Sequence, residues 1–363
     1  MIDLDIINRR LNNQNLVGTA LEKPEEVVAR LGAVQAQEYA WAKWALGQRA
    51  TGLTDAAVER AFNEGAILRT HVMRPTWHFV TPADIRWLLA LTGPRVNVAM
   101  ASNYRGLELD EATFTRSNAV LAKALQGGRQ LTRPELAAIL QQAGIATADL
   151  LRFSHIMLRA ELDAVVCSGV LRGKQHTYAL LDERAPQAKT LERDEALAEL
   201  TRRYFTSHGP ATLADFGWWS GLTMADARAG LEMAKPHLVQ EVIDGQTYWL
   251  PSSPSPVNIT SPTVHLLPAF DEYTVAYKDR QAVLDPAYPP QAKSDILNPA
   301  IAVDGKIVGT WKRTFKKEMV IIIPSLFTPL GPAEAQAVAE AAQRYGAFLG
   351  LPVTLVDSTQ FEG

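Results

Sequence analysis

The sequence predicts an α+β protein built from tandem winged helix-turn-helix units followed by a β-rich C-terminal domain. Three observations predict it. A strand that opens on threonine and an aromatic residue recurs as Thr76-Trp-His-Phe-Val80, Thr177-Tyr-Ala-Leu180 and Thr247-Tyr-Trp-Leu250, each after helical patterns. Two Asp-Gly pairs, Asp244-Gly245 and Asp304-Gly305, separate strand-like segments, which is a strong hairpin signal. Pro251-Ser-Ser-Pro-Ser-Pro256 reads as a linker, and beyond it the texture turns from helical to β. Helix, helix and hairpin is the winged-helix layout. The expected divisions are 1–105 (N-terminal helices and the first unit), 106–188, 189–250, and a C-terminal domain over 257–363.

The elements follow in order. Residues 1–30 read as helical support. Val27, Leu31 and Val34 make one helical face, and Trp41, Trp44 and Ala45 make another, with a bend expected between them. In the second unit Thr132 is a plausible N-cap and Pro134 an early helical residue. Leu136, Ile139 and Leu140 follow at helical spacing. A longer helix is predicted from about Leu150 to Val166. In the third unit one helix begins at Thr212 and passes through Trp218 and Trp219. A second starts near Thr223-Met-Ala-Asp226 and runs to about Lys235. After the linker, Val264-His-Leu-Leu267 and Thr274-Val-Ala-Tyr277 read as strands, and Ala300–Gly309 as a hairpin around Asp304-Gly305. Met319-Val-Ile-Ile-Ile323 reads as a buried strand, Pro332 to Leu349 as one alanine-rich helix, and Val353-Thr-Leu-Val356 as a last strand. A small α/β or half-barrel domain is the expected result.

Composition excludes several classes. At 47% hydrophobic and 21% charged, the 363 residues have the balance of a soluble globular chain. There is no run of 18 apolar residues, so no membrane-spanning helix is expected. The start, Met1-Ile-Asp-Leu-Asp-Ile-Ile-Asn-Arg-Arg10, is acidic before it is basic, unlike a signal peptide, and a cytoplasmic location is expected. Cys167 is the single cysteine and lies in the apolar run Ala164–Gly169, so a buried thiol is expected rather than a disulfide or a zinc cluster. The seven histidines show no metal-ligand spacing, and no metal or other cofactor is expected. A Gly-x-Ser-x-Gly elbow, a phosphate loop and a dinucleotide fingerprint are all absent. The net charge of −3 argues mildly against nucleic acid, but the local field decides. Two basic clusters stand out: Lys312, Arg313, Lys316 and Lys317 around Trp311 and Phe315, and Arg69-Thr-His-Val-Met-Arg74.

The sharpest candidate site is Gln35-Ala36-Gln37. Glutamine offers donors and an acceptor but is a poor proton acceptor. Chemistry there requires a substrate that already carries a good leaving group. On a regular helix residues i and i+2 diverge by about 200°, so the pair shares a cleft only at a helix end, in a turn or in a strand. Two readings stay open: both amides point into a cleft, or both cap buried backbone between helices. In Arg69–His78, strand alternation places Arg74, Thr76 and His78 on one face with Trp77 opposite. Arg69, His71, Arg74 and His78 then read either as phosphate contacts from a first wing or as a solvated hairpin over a buried Trp77. Asp271 and Glu272 follow an apolar strand. They read as a general base or as an orienting partner for Arg280, with structural pairing the favoured alternative, since adjacent strand residues point apart. Lys312, Arg313, Lys316 and Lys317 read as a phosphate-tracking strand or as a solvated basic edge.

Taken together these residues resemble the winged-helix DNA-binding proteins that include the AlkZ and YcaQ type bacterial alkylpurine DNA glycosylases. The resemblance covers nearly the whole chain. It rests on Val34-Gln-Ala-Gln37 with Trp44-Ala-Leu-Gly47-Gln-Arg49, on Arg69-Thr-His-Val-Met-Arg-Pro-Thr-Trp-His78, on Asp84-Ile-Arg-Trp87, on Leu267-Pro-Ala-Phe-Asp271 and on Asp304–Trp311. It implies tandem winged helices and a β-rich domain closing a C-shaped DNA cleft. It also implies a catalytic glutamine–apolar–glutamine motif in the AlkZ branch, where the YcaQ branch has aspartate at the second position. Gln37 makes this chain AlkZ-like, and Gln35 and Gln37 become the catalytic candidates. Tyr39, Trp77, Asp271 and Glu272 are candidate cleft residues. Ala36 departs from the bulkier apolar residue the motif allows. The implied activity is monofunctional: hydrolysis of the glycosidic bond of N7-alkylguanine or N3-alkyladenine in double-stranded DNA, with bulky adducts and interstrand cross-links as further candidate substrates, by a monomer at the nucleoid. A non-catalytic winged-helix regulator and a protein-interaction scaffold are the alternatives.

Overall fold

The computed structural model describes residues 2–18, 21–253, 259–285, 287–288 and 296–356. Of the expected linker, residues 254–256 lie outside the described residues.

Helix α1 (Ile2–Asn13) precedes three units of similar order. The first runs α2 (Pro24–Leu31), a two-residue strand β1 (Val34–Gln35), α3 (Tyr39–Gly47), α4 (Asp55–Glu64) and a hairpin of β2 (Leu68–Val72) and β3 (Arg74–Val80). The long α5 (Ile85–Gly106) leads to the second. That unit has α6 (Glu111–Leu125), β4 (Leu131–Thr132), α7 (Arg133–Gln142), α8 (Leu150–Leu162), β5 (Val166–Ser168) and β6 (Thr177–Leu180). After a single turn, α9 (Leu181–Arg184), the third has α10 (Arg193–His208), α11 (Leu213–Ser220), α12 (Met224–Ala234), β7 (Leu238–Ile243) and β8 (Gln246–Pro251). In the first two units the short strand pairs with the second hairpin strand, giving the orders β1-β3-β2 and β4-β6-β5. In the third, a bridge from Ala211 to Trp249 takes that place.

The C-terminal region has β9 (Val264–Leu267), a helical turn α13 (Glu272–Val275), β10 (Ala300–Val303), β11 (Lys306–Lys316), β12 (Met319–Leu326), α14 (Pro332–Leu349) and β13 (Val353–Leu355). Its sheet order is β13-β12-β11-β10-β9, antiparallel except between β12 and β13.

Local chemistry explains the boundaries. Thr132 and Glu135 form a reciprocal capping box at α7, with Pro134 in the first turn. Thr212 and Asp215 do the same at α11, and Thr223 accepts from the Asp226 N–H at α12. Both Asp-Gly pairs have positive φ at each residue, 49° and 76° at 244–245 and 48° and 75° at 304–305, as two-residue hairpin turns require.

Four expectations need correction. Val34 does not lie on the helical face of Val27 and Leu31, because α2 ends at Leu31 and the break expected before α3 is entered through β1. The second unit's long helix stops at Leu162; Ala164 adopts φ 57° and Val166 already belongs to β5. Thr274–Tyr277 is not a strand: the Asp271 carboxylate accepts the Tyr273 N–H at 2.9 Å and opens a helical turn. In β12 only Val320 and Ile322 are buried, and Met319, Ile321 and Ile323 are half-exposed, so the strand covers the core with one face.

The C-terminal sheet has no private core. The Trp44 indole N–H on α3 donates to the Leu266 carbonyl on β9 at 2.7 Å. Its ring packs on Tyr345 and Phe348 of α14 at 5.0 and 5.1 Å. Val27, Phe62, Val264, Trp311 and Ile322 belong to that same cluster. The N-terminus is more than support. Arg10 and Asn13 donate to the Pro210 and Gly209 carbonyls, Gln14 to the Tyr277 hydroxyl and Asn15 to the Arg49 carbonyl, so α1 and the residues after it link the third unit to the C-terminal region.

Candidate functional site

Gln35 ends β1, opposite His78 on β3. Two residues from distant places in the chain hold it. The Glu272 Oε1 accepts the Gln35 main-chain N–H at 2.8 Å, and Arg74 Nη2 donates to Gln35 Oε1 at 2.8 Å. Gln35 is 7% exposed, whereas Gln37 is exposed. The Ala36 N–H donates to the Trp77 carbonyl at 2.7 Å, and there the main-chain ladder ends. The Gln37 side chain continues it, with Oε1 accepting the Trp77 N–H at 3.3 Å. Each backbone group needs a partner, and a glutamine carboxamide supplies one where the chain turns away. The strand thus keeps the two carboxamides two residues apart along one edge of β3, one recessed and one open. Ala36 between them is fully buried.

A second layer stands beside this edge. Arg69 donates to the carbonyls of Ala36 and Gln37 at 2.9 and 3.2 Å, and its guanidinium lies 4.3 Å from the Trp77 ring centroid. Trp77 is half-buried and stacks obliquely on His71 at 4.2 Å. Glu161 on α8 accepts from the His71 N–H at 2.7 Å and contacts His71 Nδ1 at 2.7 Å and the Trp77 indole N–H at 3.4 Å. Burial alone would raise the Glu161 carboxyl, but the His71 ring and these N–H donors bring it below its ordinary value. Tyr39 opens α3 with its ring edge-on to Phe62, Phe79 and His176. Its hydroxyl has no partner among the described residues, and burial raises its pKa.

Glu272 is fully buried. Burial opposes its charge, yet the His208 ring 3.6 Å away and the Gln35 N–H bring the carboxyl down to about 2. The Trp219 indole N–H donates to the other oxygen at 2.9 Å. His78 is fully buried and neutral, held down to about 3 chiefly by burial, with the nearby Arg74 charge adding to it. Asp271, the N-cap of α13, points the other way. It makes a two-pronged ion pair with Arg49 at 2.6 and 2.9 Å, and both side chains are fully buried.

Several expected roles therefore change. The first hairpin is not a free wing. Its turn residue Met73 (φ 63°) is 1% exposed, and a Cβ at Gly221 (φ 68°) would lie 2.2 Å from the Met73 carbonyl oxygen. The third unit thus covers the tip. Arg74 holds Gln35, His71 holds Glu161, and His78 has no surface to offer a phosphate. Asp271 pairs with Arg49, not Arg280, and does not line a cleft. The basic cluster is split by strand alternation. Lys312 and Lys316 are exposed on one face of β11, with Lys317 in the turn, while Arg313 lies 3.5 Å over the Trp41 ring. Cys167 is buried as expected, and burial pushes its thiol up to about 12.

Glu161, Trp219 and His208 were not singled out from the sequence. One signal was present for Glu161: it falls on the apolar face of α8, four residues after buried Met157, where an unpaired acid is expensive. Arg49 carried no role of its own, although its five donor sites are all used by Asp271, Ala45 and Gln14. A cavity of about 670 Å³ opens elsewhere, between the end of α3, β9 and α14, and neither glutamine lines it.

The family described as DNA glycosylase AlkZ-like matches residues 28–348. A curated Streptomyces sahachiroi protein named "Interstrand DNA cross-link repair glycosylase" is 24% identical, over 96% of this chain and 97% of that protein. The solved structure of Streptomyces sahachiroi DNA glycosylase AlkZ superposes with a TM-score of 0.79 at 21% identity, covering 97% of this chain and 99% of that one. The family match spans most of the chain, so the protein is a DNA glycosylase of the AlkZ-like family.

Proposed function

We propose that this enzyme hydrolyses the N-glycosidic bond of cationic alkylated purines, N7-alkylguanine and N3-alkyladenine, in double-stranded DNA, with Gln35 and Gln37 as its catalytic residues. The observation that carries the reading is the glutamine pair at the end of β1. Its two side chains are neutral amides, and the carboxylate that holds the Gln35 main chain, on Glu272, does so from a fully buried position. Among the described residues no exposed carboxylate hydrogen-bonds to either carboxamide. An alkylated purine is already cationic, so it leaves as a neutral base without being protonated. A water attacks C1′ as the C1′–N bond breaks. The bonding pair departs with the base, and the water's proton passes to solvent. The protein has to orient the water and the nucleotide around an oxocarbenium-like sugar. An unmodified purine stays, because neither glutamine can protonate it.

The exposed Gln37 suits a lesion approached at the duplex surface rather than swallowed in a cavity. Bulky adducts fit this reading, as do the interstrand cross-links in the name of the Streptomyces relative. The helix–strand–helix–helix–hairpin units act as winged helices that flank a C-shaped cleft. The three exposed lysines of β11 and its turn, Lys312, Lys316 and Lys317, contact phosphates. The enzyme works as a monomer at the nucleoid.

The test is release of N7-methylguanine from a defined duplex. Wild type is expected to release it, leaving an alkali-labile abasic site. Gln37→Ala is expected to be slower by about 10²–10³, the scale of losing one group that stabilises a transition state. Equal rates would remove Gln37 from the chemistry. No release by wild type from this duplex, or from one carrying a bulky N7 adduct, would overturn the substrate assignment.

A further inference from the structure

We propose that Arg74 is a positioning residue that sets the polarity of the glutamine pair, so that Gln35 faces the substrate as a donor and Gln37 as the acceptor of the attacking water. This rests on the catalytic reading of the two glutamines and assigns each its half of the work.

Which end of a glutamine amide is oxygen is ordinarily ambiguous. Here the partner decides. A guanidinium has donors only, so the atom 2.8 Å from Arg74 Nη2 is the Gln35 oxygen. The same logic applies at Gln37, where a main-chain N–H faces Oε1. The Gln35 oxygen is thus turned towards a cation inside the protein, which lowers its strength as an acceptor. Its Nε2 makes no hydrogen bond to a described residue, and it is the end left for a nucleotide oxygen, whether of phosphate or of sugar. The Gln37 oxygen has one long hydrogen bond, a second lone pair and an exposed side chain. It is the better placed of the two to hold a water.

Arg74 is not satisfied as a structural arginine usually is. Its Nη1 is buried without a partner among the described residues, and so is Thr76 Oγ1, next on the same face of β3. The one side-chain hydrogen bond Arg74 makes to a described residue goes to Gln35, and it makes no ion pair with a described residue. Buried donors left open are costly and uncommon. Arg49 uses every donor it has, and the contrast marks Arg74 as kept for what it does to Gln35. Glu272 completes the arrangement from the other side by holding the Gln35 main chain.

The test uses the full chain with Arg74→Met, Arg74→Lys and Gln35→Glu. Single-turnover release of N7-methylguanine, duplex affinity and the side-chain amide resonances of Gln35 in a ¹⁵N-labelled sample are measured. Arg74→Met is expected to slow release by about 10–100-fold while duplex affinity changes by no more than about threefold, a loss confined to the chemical step. Its Gln35 amide resonances shift, and Arg74→Lys recovers part of the rate. Gln35→Glu keeps the contact with Arg74 and the fold but loses the donor, so release falls at least as far. A folded Arg74→Met with wild-type rate and unshifted resonances would overturn the proposal. So would a fully active Gln35→Glu. If Arg74→Met does not fold, the other two variants decide. If wild type releases no base, the catalytic reading fails by itself, and unmoved Gln35 resonances in a folded Arg74→Met would then count against the clamp separately.

Discussion

Glu272 is an acid whose charge survives complete burial. It does so because the His208 ring and the Gln35 N–H favour the ionised form and hold the carboxyl near about 2, against an ordinary value of 4.5. Linkage gives the sign. The unfolded chain takes up this proton first, so the stabilisation is complete above about pH 4.5 and is lost as pH falls towards 2. His78 works in the same direction over a higher window. Its folded value of about 3 lies below the ordinary 6.5, so the unfolded state binds that proton as pH drops from 6.5. Glu272→Gln is therefore expected to lower the urea midpoint most at pH 7. The deficit relative to wild type should shrink as pH falls below about 4.5. A deficit that stays constant down to the acid limit of the fold would mean that Glu272 is not ionised in the native state.

At the scale of elements, α8 belongs to the second unit but anchors the hairpin of the first. Its polar anchor is Glu161, which receives the His71 N–H, the His71 ring and the Trp77 indole. Glu161→Ala leaves these donors buried, and its cost should be about 3 kcal/mol, the scale for breaking one side of a buried charged contact. Thermal unfolding checks this, and a fall in Tm of less than about 2 °C would show that β2 and β3 hold themselves. The same region shows what was legible in the sequence. The caps at Thr132, Thr212 and Thr223, the Asp-Gly turns and α14 could be read because each depends on neighbours a few residues away. The α13 turn was misread as a strand because Thr274-Val-Ala-Tyr277 has β-like residues, while the Asp271 carboxylate that starts the turn answers to Arg49, 222 positions off. The glutamine pair was legible as a motif. Its geometry was not, because β1 exists only by pairing with β3, and the tip of that hairpin is covered by Gly221 of the third unit.

The whole molecule is tied together by polar contacts between segments far apart in sequence. Arg49 at the end of α3 meets Asp271 beyond β9, and the same Arg49 takes up Gln14 from the residue run after α1. The neighbour of Asp271 is Glu272, which holds Gln35. The ion pair therefore joins the first unit, the N-terminus and the C-terminal region, and it does so immediately beside the residue that fixes the candidate catalytic strand. Arg49→Met and Asp271→Leu should each cost about 3–5 kcal/mol, because each leaves a buried charge without its partner. The double variant should cost clearly less than the sum, since it removes both charges at once. Because Trp44, Trp311 and Tyr345 share one core across the N-terminal and C-terminal regions, tryptophan fluorescence and far-ultraviolet dichroism should report a single coincident unfolding transition in wild type. In the single variants the transition should move to lower urea and stay single if the shared apolar core alone suffices to couple the two regions. Two separated transitions in wild type would instead mean that the C-terminal sheet folds as a domain of its own, and that the Arg49–Asp271 pair joins two stable bodies rather than building one.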